Sequence, residues 1–173
     1  MPSLAALFAS LLKAKEALAN LRMNEENRIK LYEAARSFIG KDASPNDLAP
    51  DEYGCADSVS EVIKAAFGDY LIQKNRVSTY WLYKALRESP KWKEVHIPTP
   101  GCIVISPTGY GTRKNPDGTL AIPVGHVGIV MLNGRIASND SRDGIFRENY
   151  SIESWRDRYV RRGGYFAKYY RPI

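Results

Sequence analysis

Apolar residues in the N-terminal region recur at spacings of three and four. Leu4, Leu7, Leu11, Ala14 and Leu18 predict an amphipathic helix over residues 3–21. Ile29, Tyr32, Ala35, Phe38 and Ile39 predict a second, running from about Asn24 as N-cap to Ile39, with Gly40 as a left-handed stop. Pro, Asp, Asn and Gly crowd residues 41–54, a loop that delivers the chain to Cys55. Val59, Val62, Ile63, Ala66 and Phe67 then share one stripe of a helix over 55–67, ended by Gly68, and Cys55 lies at the N-terminal end of that stripe. A further helix starts with Ser78 as cap and carries Trp81, Leu82, Ala85 and Leu86 to about Glu88.

After Glu88 the period becomes strand-like. Ile103–Ile105 follow a Pro100-Gly101 turn, and residues 107–123 form a long Gly/Pro/Asn loop. Residues 126–132 and 135–139 flank Asn133-Gly134, a strong hairpin signal. A strand near 145–149, a short helix near 152–159 and a last strand over 165–170 complete the chain. Helices come first and strands after, so the fold class is α+β: N-terminal helices packed on a mainly antiparallel sheet. The expected division is a helical extension over residues 1–40 and a domain over 41–173.

With 173 residues, 44% of them apolar and 25% charged, the chain suits one packed core and excludes a disordered or membrane-embedded protein. The formal charge of +6 favours polyanionic surroundings: nucleic acid, anionic lipid or wall polymers. Residues 142–173 hold eight of the basic residues against four acidic ones, interleaved with Tyr150, Trp155, Tyr159, Tyr165, Phe166, Tyr169 and Tyr170. The aromatics read as core and the arginines as a solvated face. No nucleic-acid motif or phosphate loop accompanies them, so nucleic acid is not an expected partner. The apolar run at the N-terminus lacks a basic n-region and is interrupted by Lys13, Lys15 and Glu16, so neither an export signal nor a membrane span is read there.

Cys55 opens a helix, where free N–H groups and the positive dipole end favour a thiolate, which makes it a candidate nucleophile. Asp57 opposes this unless it caps an N–H or pairs with a cation. Of the two histidines, His126 begins a strand after Gly125 and is the candidate base; His96, between Glu94 and Pro98, reads as a surface or strand-edge residue. A third residue should orient the far ring nitrogen of the base. A two-residue Asn133-Gly134 loop sets Gly128 opposite Asn139 and His126 opposite Ser141, which puts Asn139 diagonally beside His126. One extra residue in the hairpin would reverse the parity and bring Ser138 or Asp140 to that face. Asn139 is the first choice and Asp140 the reserve. Asp42, Asn46, Asp47, Asp51 and Glu52 do not follow EF-hand spacing, and the cysteines and histidines do not follow zinc spacing, so no metal is expected.

Three segments together resemble a known family. Tyr53-Gly54-Cys55-Ala56-Asp57-Ser58-Val59, opening a helix, followed by Pro100-Gly101-Cys102-Ile103-Val104-Ile105 and Gly125-His126-Val127-Gly128-Ile129-Val130, is similar to the Cys-helix and His-strand signatures of NlpC/P60 and CHAP enzymes. These are papain-like peptidoglycan hydrolases, many of them in phage lysins, and the resemblance covers roughly residues 45–170. It implies attack by Cys55 on an amide carbonyl, with His126 moving the proton and Asn139 or Asp140 orienting the ring. The N–H groups at the start of the helix, with Tyr53 and Ala56, would support the oxyanion. It implies no cofactor, bacterial peptidoglycan as substrate, anionic wall polymers as further partners, and delivery to the wall by a holin, a virion or a secretion system. Where NlpC/P60 members commonly have Ser after the nucleophile and a second His on the next strand, this chain has Ala56 and Ser138. Cys102, in the position after Pro-Gly, reads as a strand residue. The rival readings are a non-enzymatic phage structural or envelope-binding protein that keeps the shell, and a thiol acyltransferase.

Overall fold

The computed structural model describes residues 4–44, 50 and 53–173. Four helices and six strands follow in chain order: α1 (Leu4–Phe38), α2 (Cys55–Phe67), α3 (Thr79–Glu88), β1 (Trp92–Val95), β2 (Ile103–Ser106), β3 (His126–Val130), β4 (Arg135–Asn139), β5 (Phe146–Ser151), α4 (Ile152–Trp155) and β6 (Lys168–Pro172). A π-helical segment, Arg156–Arg162, continues α4. The strands form one sheet in the order β1-β6-β2-β3-β4-β5, and every pair is antiparallel. The α+β class and the helices-first order are as the pattern predicts.

The two helices expected at the N-terminus are a single one. Arg22-Met23-Asn24 contains neither Pro nor Gly, so nothing there interrupts the hydrogen-bond ladder, and Asn24 lies inside α1 rather than capping a helix. The inward residues are Leu31 and Ala35, with Tyr32, Ala34 and Phe38 beside them, while Ile29 faces outward. Arg28 donates to the Pro100 carbonyl and ties α1 to the turn before β2. Toward its N-terminal end α1 stands clear of the core, with Leu7, Leu11, Leu18 and Leu21 exposed. No helix among the described residues is long and apolar enough to cross a membrane.

α2 forms as its stripe dictates. Val59, Val62 and Ile63 are buried, each contributing about 1.5–3 kcal/mol. Gly68 adopts φ +84°, and its N–H bonds Lys64 O at 2.7 Å. Ser78 caps α3, accepting from the Trp81 N–H. The sheet has a core on each face. Ile103, Ile105, Val127, Ile129 and Tyr170 pack against α1, α2 and α3. Val104, Val130 and Ile136 pack against Trp155, Tyr159 and Tyr165, so the aromatics of the basic C-terminal region are indeed core. His96 follows the edge strand β1 and is exposed.

Candidate functional site

Gly54 is the N-cap of α2, and the first helical bond runs from the Ser58 N–H to Gly54 O at 2.9 Å. The N–H groups of Cys55, Ala56 and Asp57 therefore have no partner within the helix. Those of Cys55 and Ala56, and the Val127 N–H of β3, reach the Cys55 sulfur and favour its ionised form. Burial opposes them and wins: Cys55 is 6% exposed, and its thiol is pushed up to about 11. The thiolate expected from the helix position is thus a thiol at rest, because desolvation outweighs the N–H groups. Asp57 does not work against it. Its fully buried carboxylate accepts from Ser44 Oγ at 2.6 Å and pairs with Arg76 Nε at 3.1 Å. Arg76 in turn lies over the Tyr70 ring, 4.0 Å from its centroid.

His126 is held where the sheet begins. Thr79 of α3 bonds Thr108, and Thr108 Oγ1 accepts from the Gly125 N–H at 2.9 Å. A Cβ at Gly125 would lie 2.1 Å from Ser106 O, so only glycine lets the chain enter β3 this closely. The imidazole stacks on Tyr159 at 5.6 Å, with Trp155 and Tyr150 closing around it at 5.4 and 5.6 Å. Burial in this aromatic wall pushes the ring down to about 3; the Arg158 guanidinium adds to the effect and Asp140 opposes it. Tyr159, itself buried, stays protonated far above the usual tyrosine range. Resting Cys55 and His126 are therefore both neutral. Their side chains approach from different sides of β3, the sulfur at the amide of the residue that follows His126.

The third position departs from the first expectation. Met131 N–H bonds Arg135 O at 2.7 Å, and Leu132, Asn133 and Gly134 form a tight turn between them. The loop thus holds three residues rather than two, and the pairing Ile129↔Ala137 and Val130↔Ile136 follows. This is the parity-reversed hairpin. Ser138 comes to the His126 face, and its Oγ is hydrogen-bonded to His126 Nε2 at 3.0 Å. Asn149 of β5 directs its amide nitrogen at the Ser138 carbonyl and hydroxyl oxygens, at 3.2 and 3.3 Å, and at the Arg147 carbonyl, an orientation that only a donor satisfies. Asn139 turns to the helix side, where its Oδ1 accepts from Ser58 Oγ of α2 at 3.4 Å. Asp140 remains close enough to favour the charged imidazole. Its carboxylate accepts from Arg142 (2.6 and 3.0 Å) and Arg147 (3.0 Å), which hold it well below the usual carboxylate range. Ser138 was visible only as the parity alternative, and nothing in the sequence marked Asn149, Arg76 or Arg158.

A cavity of about 290 Å³ opens beside the imidazole, lined by His126, Asp140, Arg142, Tyr150, Arg158 and Tyr159 among others. Cys55 is not among the described residues that line it. Tyr53, expected near the oxyanion, is half exposed, and its N–H bonds Pro50 O, while Ala56 is fully buried. Both cysteines are free; Cys102 packs on the opposite sheet face from α2, with Thr99 Oγ1 3.3 Å from its sulfur. Asn46, Asp47, Asp51 and Glu52 lie outside the described residues. Among those described, no group of three or more His, Cys, Asp or Glu is placed to hold a metal ion.

No protein-family model and no curated protein sequence matches the chain. Among solved structures it is similar to a chain of the type VI native effector–immunity complex Tae3–Tai3 from Ralstonia pickettii, with a TM-score of 0.50 and 19% identity. The likeness covers 84% of this chain and 98% of that one. It establishes a shared fold.

Proposed function

We propose that the protein is a papain-like cysteine hydrolase of the NlpC/P60 and CHAP kind that cuts an amide bond in the peptide part of bacterial peptidoglycan. The observation that carries this reading is the placement of the Cys55 sulfur at the open N-terminus of α2, against the amide of the residue after His126, with His126 itself bonded to Ser138. In the reaction, Cys55 Sγ attacks the carbonyl carbon while His126 takes the thiol proton. The N–H groups of Cys55 and Ala56 receive the oxyanion, as free helix-start donors are suited to do. His126 returns the proton to the leaving amine as the C–N bond breaks. Water, deprotonated by His126, then hydrolyses the thioester and restores the thiol. A neutral thiol and a neutral imidazole are the correct starting states for this order of transfer. Ser138 takes the place of Asn139 as the residue that orients the ring, and Asp140 favours the imidazolium through space.

Delivery to the wall by a holin, a virion or a contact-dependent secretion system belongs to the same proposal. The test is digestion of purified sacculi, with mass spectrometry of the released fragments to identify the new termini. Peptide fragments with a new amine are expected from the parent and none from Cys55→Ala of unchanged circular dichroism. Clearance by Cys55→Ala at the parent rate overturns the assignment.

A further inference from the structure

We propose that Arg158 is the specificity determinant of this site, receiving a substrate carboxylate that lies beside the scissile amide, so that acidic peptides are cut and their carboxamide counterparts are disfavoured. The inference rests on the amide-hydrolase reading and adds the chemical class of the substrate to it.

The cations near the cavity differ in whether a carboxylate already holds them. Two line the cavity next to His126. Arg142 is bound to Asp140, and Arg147 occupies the remaining reach of that carboxylate. On the π-helical segment itself, Arg161 and Arg162 share Asp157, and Arg161 also meets Glu153. Arg156 and Arg158 are left with no ion pair to any carboxylate among the described residues, and of the two Arg158 lines the cavity; its guanidinium stays beside the Tyr159 ring, 5.7 Å from the centroid. A planar guanidinium fork in the wall of a concave site, held against an aromatic face and lacking an internal counter-ion, is the geometry that takes a carboxylate by two parallel N–H···O bonds. The π-helical winding puts it there: Trp155 and Tyr159 of the same stretch pack on His126, and Arg158 is carried to the cavity by their placement.

The groups facing His126 are Ser138 from β4, Asp140 just after it, Tyr150 from β5, Trp155 from α4, and Arg158 and Tyr159 from the π-helical segment. Cys55 of α2 is nearby at the Val127 amide. Of these, Arg158 carries the charge that disfavours the imidazolium. A carboxylate docked on Arg158 offsets that charge and makes His126 a stronger base when the correct substrate is bound. A carboxamide does not.

The experiment compares two synthetic stem peptides that differ only in a free carboxylate or a carboxamide next to the cleaved amide. The parent protein is expected to cut the acid with a kcat/KM about 10- to 100-fold higher. Arg158→Gln loses the preference and Arg158→Lys keeps part of it. NMR titration of His126 gives a second readout, with the imidazole of Arg158→Gln protonating at higher pH than that of the parent. A third arm needs no turnover: calorimetric titration of Cys55→Ala, expected to bind the acid at least about tenfold more tightly than the amide. Equal cleavage of both peptides by the parent overturns the Arg158 assignment and leaves the hydrolase reading standing. If the parent cleaves neither peptide nor sacculi, the hydrolase reading falls, and the Cys55→Ala titration alone decides Arg158; equal affinities reject it.

Discussion

Replacing Ser138 by Ala leaves His126 Nε2 without its partner at a buried position walled by Tyr150, Trp155 and Tyr159. A buried polar group stripped of its hydrogen bond costs about 1–3 kcal/mol. Part of that cost falls on stability. On the proposed mechanism the rest falls on the transition state, because an imidazole free to rotate about χ2 is no longer held in the one orientation that serves the proton transfer. Loss of about 1.4–2.7 kcal/mol there slows kcat by about 10- to 100-fold. Asn139→Ala is the control: it is one residue further along the same strand and also borders the cavity, but its Oδ1 accepts from Ser58 Oγ of α2 rather than from the imidazole's partner. It is expected to lower the melting temperature and to leave the imidazole nitrogen shifts unchanged. The assays are the initial rate of sacculus clearance and the 15N shifts of the His126 ring, both recorded below the melting temperature of each variant. If Ser138→Ala clears at the parent rate with unchanged ring shifts, while Asn139→Ala loses both, the three-residue hairpin and the face assignment built on it are refuted.

Stability is expected to fall as pH drops from 6.5 towards 3, because the unfolded chain then takes up a proton that the buried imidazole refuses. At about 1.4 kcal/mol per pH unit the loss accumulates to about 5 kcal/mol, and denaturant melts of His126→Gln should lack this slope. Asp140 acts in the same direction at lower pH: its depressed carboxyl contributes stability that is present above the usual carboxylate range and is lost as pH falls from there through its own lower pKa, and Asp140→Asn removes the contribution. Iodoacetamide labelling of Cys55 should be slow at pH 7 and keep rising towards pH 11; a plateau by pH 8 would show a thiol less perturbed than burial requires. Arg76→Ala strands the fully buried Asp57 and should destabilise the protein by about 3–5 kcal/mol in urea, whereas the double variant Arg76→Ala/Asp57→Ala should recover part of that loss.

Local chemistry settled a good deal of this molecule in advance. The bounds of α2 follow from its 3.6-residue stripe and the glycine that ends it, the start of α3 from Ser78, and the run from His126 to Val130 from strand-forming residues behind a glycine that admits no Cβ. Cys55 at a helix start and His126 at a strand start could be read for the same reason: these signals act over a few neighbouring residues and survive into any fold that keeps the element. The relation between the elements was beyond that range. Whether Leu132 joins the turn or the strand changes the hairpin by one residue, and with a side-chain period of two this moved Asn139 to the helix face and brought Ser138 to the imidazole. The partner that neutralises Asp57 lies at Arg76, in a loop with no local relation to it, and Arg158 reaches the cavity through a π-helical winding that no periodicity announces. Protonation was decided last and only by packing. The helix start alone favours a thiolate, but the sheet and its aromatic wall remove water from both the sulfur and the ring, and in that environment the neutral forms have the lower free energy.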